Sequence, residues 1–159
     1  MFQTADEVIQ AYGLVPHPEG GHYREAYRSE SSVGVPPGYP GPRAALTAIY
    51  FLLARGEFSA FHRVRSDEAW IHLAGAPLEL VLLGRRCRLL RIGAADRGEG
   101  PLAVVPGGRL QAARCLGAWS LATCLVAPGF DFADFDLPSR RKLLERYPDQ
   151  AEWILRFTR

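Results

Sequence analysis

From Ala44 to Val126 the chain is cut into short apolar or alternating runs by turns that carry Gly and Pro. The runs are LTAIYFLL, SAFHRV, DEAWIHLAG, LELVLL, CRLLRI, the stretch from Leu102 to Val105, RLQAAR and AWSLATCLV. Arg55-Gly56-Glu57, Ala76-Pro77, Gly84-Arg85 and Pro106-Gly107-Gly108 separate them. Many short strands at near-regular spacing predict an antiparallel sandwich or barrel. Helices flank this block. Thr4 with Glu7 forms a capping box, Val8, Ile9 and Tyr12 supply an apolar stripe, and Gly13 ends the helix. After an acidic-aromatic stretch, FDFADFDL, come two C-terminal helices. Ser139 caps the first and Pro148 ends it; Asp149 with Glu152 caps the second.

With 159 residues, 48% of them hydrophobic, residues 1–159 are expected to form one domain with a sizeable core. A formal charge of +2, carried almost wholly by dispersed Arg, argues against a nucleic-acid partner. The N-terminus has no basic and apolar leader, and no apolar run is long enough for a membrane helix. Cys87, Cys115 and Cys124 are odd in number and widely spaced, so reduced thiols and a cytoplasmic location are expected; a disulfide between two of them is the alternative.

The stretch from Phe61 to Gly75, FHRVRSDEAWIHLAG, carries the functional signal. Side chains alternate between the faces of a strand. Glu68, Trp70 and His72 therefore share one face, and Ala60, His62 and Val64 share one face of the preceding strand. If both faces look into a barrel, its interior holds imidazole, carboxylate and indole together. Upstream, Pro-Glu-Gly-Gly is a turn, and a strand begins at His22. Its alternation puts Tyr23, Glu25 and Tyr27 on one side, and His22, Arg24 and Arg28 on or near the other. Glu19, Arg24 and Glu25 form either a salt-bridged strand at a dimer interface or a pocket rim, where Arg24 suits a carboxylate or phosphate. Residues 29–43 are a loop, either mobile or draped over a pocket. Asp131, Asp134 and Asp136 are expected to cap helix ends and loops, and Cys115 and Cys124 to be inert core thiols.

These residues resemble the cupin superfamily. Its first motif is Gly, five residues, His-x-His, three or four residues, Glu, six residues, Gly; Gly56, His62, Glu68 and Gly75 match it, with Val64 at the second His. Gly100, Pro106 and Gly108 match the second motif, with Gln111 at its His and Cys115 at its Asn. PHPEGGHYREAYRS, HRVRSDEAW and VAPGFDFADFDL are similar to a small, uncharacterised cupin-like branch related in shape to RmlC-type sugar epimerases. The resemblance implies an antiparallel cupin barrel, a double-stranded β-helix, with one N-terminal and two C-terminal helices, working as a homodimer. It implies metal ligands at His62, Glu68 and Gln111. That set is incomplete, so the expected cofactor is none or a weakly bound divalent ion. His72 does not complete it, being about 13 Å from Glu68 at ~3.3 Å per residue.

The expected pocket is lined by His62, Glu68, Trp70, His72 and Gln111, with Tyr23 and Arg24 near it. His62 and Glu68 are the catalytic pair, and Tyr23, Tyr27 or Tyr50 supplies a phenol. The leading expectation is isomerase- or epimerase-like chemistry on a sugar-derived or nucleotide-linked small molecule. The alternatives are a non-catalytic metabolite-binding module and a metal-dependent enzyme.

Overall fold

The computed structural model describes residues 2–159. Eleven strands and three helices follow in order: α1 (Ala5–Tyr12), β1 (Val15–Pro16), β2 (His22–Arg28), β3 (Thr47–Ala54), β4 (Phe58–Val64), β5 (Asp67–Gly75), β6 (Leu78–Leu83), β7 (Arg88–Ile92), β8 (Leu102–Val105), β9 (Leu110–Cys115), β10 (Trp119–Ala127), β11 (Phe135–Asp136), α2 (Arg140–Arg146) and α3 (Ala151–Arg156). They make two antiparallel sheets, β1-β2-β3-β10-β5-β8 and β11-β4-β9-β6-β7. The expected barrel with its three helices is what forms. No helix among the described residues is long and apolar enough to cross a membrane.

Both sheets are covered on the inner face and, over β3, β4, β9 and β10, on the outer face as well, which is why so many residues of those strands are buried in succession. Phe51, Leu53, Trp70, Leu78, Leu80 and Ile92 fill the space between the sheets. On the outer face of the larger sheet, Val8 and Leu14 pack on Leu52, Trp119 and Leu121. On the outer face of the smaller sheet, Leu143, Ile154 and Phe157 cover Phe61, Val81 and Ala112. Phe61 therefore faces the helices and its neighbour His62 faces the barrel.

Thr4 caps α1 through the Glu7 N–H, and Glu7 accepts from the Gln3 N–H at 2.7 Å. Ser139 caps α2. Asp149 does not cap α3: it lies inside a 3₁₀ turn, Pro148–Gln150, that runs into the helix without a side-chain cap. Residues 29–43 lie against the β4–β5 turn. Arg43 forks onto Asp134 at 2.6 and 3.1 Å, both buried. The Tyr39 ring sits beside the guanidiniums of Arg43 and Arg65, and its hydroxyl bonds Ser66. Asp134 is thus an ion-pair anchor, while Asp131 caps a 3₁₀ turn as expected.

The turn from His17 to Gly21 is closed by His17 N–H to Gly21 O and Gly20 N–H to His17 O, each at 2.9 Å. Gly20 and Gly21 have φ of 109° and 72°. A Cβ on Gly21 would lie 2.6 Å from Leu52 O, a backbone atom of β3. Left-handed backbone and overpacking add, so Gly21→Ala is expected to cost about 2–4 kcal/mol. Chemical denaturation reads this directly; a wild-type midpoint would contradict the packing described.

Candidate functional site

The register of the larger sheet aligns side chains in rows across its strands. Glu25, Ile49, Cys124 and Trp70 form one row, and Arg28, Thr47, Val126 and Glu68 the next. Glu25 and Arg28 both face in because a bulge at Ala26 inserts one residue and shifts the phase of β2. That overturns the uninterrupted alternation read from the sequence: Arg28 turns inward, and Tyr27 is 53% exposed. These rows form one wall of a cavity of about 420 Å³. His62 and Val64 of β4 stand on the opposite wall, the β1–β2 turn brings His17 and Glu19, and Phe130 and Phe132 close one side.

His62, Glu68 and Glu19 line this cavity and are 1%, 6% and 5% exposed. His62 Nδ1 donates to Ala60 O at 2.8 Å, so its Nε2 points to Glu19 Oε2, 3.4 Å away. Ser59 donates to Glu19 Oε1 at 2.8 Å. His17 Nδ1 lies 3.5 Å from Glu19 Oε2. Across the cavity, Gln111 Nε2 donates to Glu68 Oε2 at 2.5 Å, and Trp70 Nε1 donates to Gln111 Oε1 at 3.1 Å. This bridge joins the two sheets.

Burial dominates the acid–base properties. It pushes Glu19 up to about 8 despite the Ser59 hydrogen bond. It pushes Glu68 up to about 7, assisted by Glu19 and opposed by His62, Gln111 and the Cys124 thiol. Desolvation lowers His62, and lowers His17 to about 4 with help from His62. Near neutral pH the cavity therefore holds neutral imidazoles beside carboxyls able to keep or release a proton.

The structure brings together His62, Glu68, Trp70 and Tyr23. Gln111 stands behind Glu68 and outside the cavity lining. His72 shares the inward face of β5 but lies beyond the end of the cavity, with Nε2 3.1 Å from Ala76 O. Arg24 borders the mouth, its guanidinium over the Tyr50 ring. Of the candidate phenols Tyr23 lines the cavity; Tyr50 faces out against Tyr12. Glu25 pairs with Arg28 at 2.7 Å, and of the two readings of Glu19, Arg24 and Glu25 their places along the cavity lining fit the pocket rim. The three cysteines are free. Cys124 is buried and lines the cavity in the row next to Glu68, so it is more than core filling. His17 was missed because it lies in a turn, where alternation says nothing; Glu19, read as an interface or pocket-rim residue, stands in the cavity lining. Their signal in the sequence is the pair of glycines that follows them, which fixes the turn tightly enough to aim a side chain.

The ligand set expected for a metal does not fit. Val64 has no donor atom. The indole of Trp70 can only donate, so it claims Gln111 Oε1 and leaves the Gln111 amide nitrogen toward Glu68. Two donors, His62 and Glu68, remain from the four positions, short of a closed coordination shell. No cluster of three or more His, Cys, Asp or Glu suited to a metal occurs among the described residues.

Comparison with known proteins agrees with this architecture. A hypothetical protein from Leishmania major is 34% identical, with 98% of this chain and 99% of that one covered and a TM-score of 0.90. A protein from Shewanella oneidensis is 36% identical over 99% of both chains, with a TM-score of 0.88. An oxalate decarboxylase variant from Bacillus subtilis shares the fold alone, at 15% identity and a TM-score of 0.58 over 89% of this chain and 36% of that one. No curated protein matches the sequence. The family model described as Cupin superfamily (DUF985) matches residues 6–138. With the barrel and both glycine-framed motifs in place, the chain belongs to the DUF985 family of cupins.

Proposed function

We propose that the barrel cavity binds a small polar molecule and moves protons on it, in the manner of an isomerase or epimerase. The observation that carries this reading is the pair His62 and Glu68, buried on opposed walls of one cavity. An epimerisation needs one group to take a proton from a carbon beside a carbonyl and another to return one. Glu68, with a pKa near 7, is matched to accept a proton at neutral pH, and the His62 wall supplies the second group. Among the described residues neither Glu19 nor Glu68 pairs with an Arg or Lys, which suits an uncharged ring beside them. Arg24 and Arg28 at the mouth suit an anionic tail, as a nucleotide-linked sugar carries. The aromatic walls, Phe51, Trp70, Phe130 and Phe132, favour a second reading, a non-catalytic metabolite-binding module. The working unit in either reading is a one-domain chain paired in a cytosolic homodimer. Exposed Leu73, Leu102 and Val104 on β5 and β8 supply apolar surface for that pairing.

Deuterium wash-in separates the readings. Neutral reducing sugars and nucleotide-linked sugars, incubated with the protein in D₂O, are expected to lose the proton signal beside the carbonyl. His62→Ala and Glu68→Gln are each expected to slow this by about 100-fold or more. Ligands that raise the melting temperature without any exchange would favour the binding module.

The buried carboxyls also set a pH dependence of stability. Glu68 and Glu19 titrate in the unfolded chain near 4.5 and in the fold near 7 and 8. The fold therefore keeps protons that the unfolded chain has released, and stability from this source is lost as pH rises through these values. His17, depressed from 6.5 to about 4, acts in the opposite sense only below pH 6.5. Between pH 6.5 and 8 the unfolding free energy is expected to fall by about 2 kcal/mol. Glu19→Gln and Glu68→Gln should each flatten that slope in denaturation curves; unchanged slopes would remove the carboxyls as its cause.

A further inference from the structure

We propose that the uncovered outer face of the larger sheet pairs with the same face of a second copy of this chain; this rests on the homodimer stated above and gives it a surface and a register. Two rows of side chains make the face. Tyr27, Ala48, Leu125, Ala69 and Val104 form one across β2, β3, β10, β5 and β8, and Arg24, Tyr50, Thr123, Ile71 and Leu102 form the next. They alternate with the residues that line the cavity and the core, so they point away from the barrel. Nine of the ten carry no charge. The Thr123 hydroxyl is spent on Ile49 O at 2.9 Å, and Arg24 stands at the rim with its guanidinium over the Tyr50 ring.

The smaller sheet shows what this chain places on an outer face that meets water. Beyond its helices the row reads Arg91, Glu79 and Arg114, with Glu79 and Arg114 paired at 2.6 Å. A sheet face left to water carries such polar residues, whereas one that packs carries apolar ones. On the larger sheet α1 covers one end, at Leu52, Trp119 and Leu121. The two rows beyond it keep the same apolar character, yet Tyr27, Leu102 and Val104 in them stay exposed. Five strands at ~4.8 Å spacing make the face roughly 24 Å wide, and with its border it covers on the order of 500 Å². That is more than scattered surface residues supply, and it approaches the ~800 Å² that each side of a standard stable pair buries.

Charge and shape choose the occupant. The two rows hold no carboxylate and one rim arginine, so nothing on them selects a partner of opposite charge, and apolar surface is its own complement. The helix α1 stands up from one end, so a second copy fits with its own helix at the other end. The two-fold axis then runs across the strands, between the two rows, and each row lies on the other row of the second copy. Ala48 of one copy meets Tyr50 of the other, and Ala69 meets Ile71, so small residues receive bulky ones. Leu125 meets Thr123, Val104 meets Leu102, and Arg24 at the rim meets the ring of Tyr27.

Sedimentation velocity on the full chain tests this. Wild type is expected as a dimer at micromolar concentration. Val104→Arg and Leu102→Arg, at exposed positions, are each expected to weaken the pairing about 30-fold or more, because each drives a charge into the apolar face. Leu89→Arg and Leu155→Arg, exposed elsewhere, are expected to leave it unchanged. Far-UV circular dichroism checks each fold, and either of the first two variants suffices if the other does not fold. Mixing reads the register. Ala69→Ile alone sets bulk on bulk and Ile71→Ala alone sets hollow on hollow, so each is expected to pair weakly with itself. Mixed, they are expected to form the hetero pair, in which both contacts fit. A wild-type chain that stays monomeric at tens of micromolar overturns the face and the homodimer together, while the deuterium experiment still judges the acid–base reading. A dimer that ignores Val104→Arg and Leu102→Arg, or that Leu89→Arg or Leu155→Arg dissociates instead, overturns the face and leaves the homodimer standing. A dimer weakened as expected whose mixed pair gains nothing overturns the register.

Discussion

The pairing of β10 with β3 on one side and β5 on the other is the constraint from which the cavity follows. It fixes Thr47, Val126 and Glu68 in one row and Ile49, Cys124 and Trp70 in the next. Because side chains alternate with a period of two, a slip of one residue would turn Glu68 and Trp70 out of the barrel and bring Ala69 and Ile71 in. Cross-sheet polar contact makes such a slip costly. Glu68 would lose the Gln111 amide, and Gln111 would lose its indole donor. Each group would then be left buried or exposed without its partner. Register and polar network thus specify each other.

The smaller sheet works by a different division of labour. In β4, Phe61 points to the helices and His62 to the cavity, and both are almost wholly buried. The helices α2 and α3 therefore support the site indirectly: they cover the face that lets β4 stand between two dry layers. A dry layer is what raises the carboxyls, since desolvation is the first cause of the shift at both Glu19 and Glu68. Elements distant from the cavity thus raise the pKa values of its carboxyls by excluding water.

What the sequence makes legible is what depends on local period. Strand runs and Gly/Pro turns reveal the barrel, and alternation correctly turns His62, Glu68 and Trp70 inward. What it hides depends on partners. The bulge at Ala26 is a property of the β2–β3 pair, so alternation along β2 alone misplaces Tyr27 and Arg28. His72 has the right face, but how far the cavity extends along β5 is set by packing across the barrel. Glu19 sits in a turn, where periodicity says nothing; only the close approach of Gly21 to β3 shows that the turn is held rigidly. The reach of loop 29–43 is likewise decided by a pair 91 residues apart, Arg43 and Asp134.

The two departures from the cupin ligand pattern, Val64 and Gln111, bear on the same question as Glu19. A buried carboxylate must be neutralised by a cation or by a proton. With four donors a divalent ion would hold Glu68 ionised. Val64 removes one donor and the Trp70 indole occupies the oxygen of another, so burial takes over and the carboxyls rise into the neutral range. Once raised, they titrate near neutral pH, which an ion-bound carboxylate does not. Val64 and Gln111 thus stand where ligands would have held the carboxyls ionised, and burial is left as the main influence on their proton affinity.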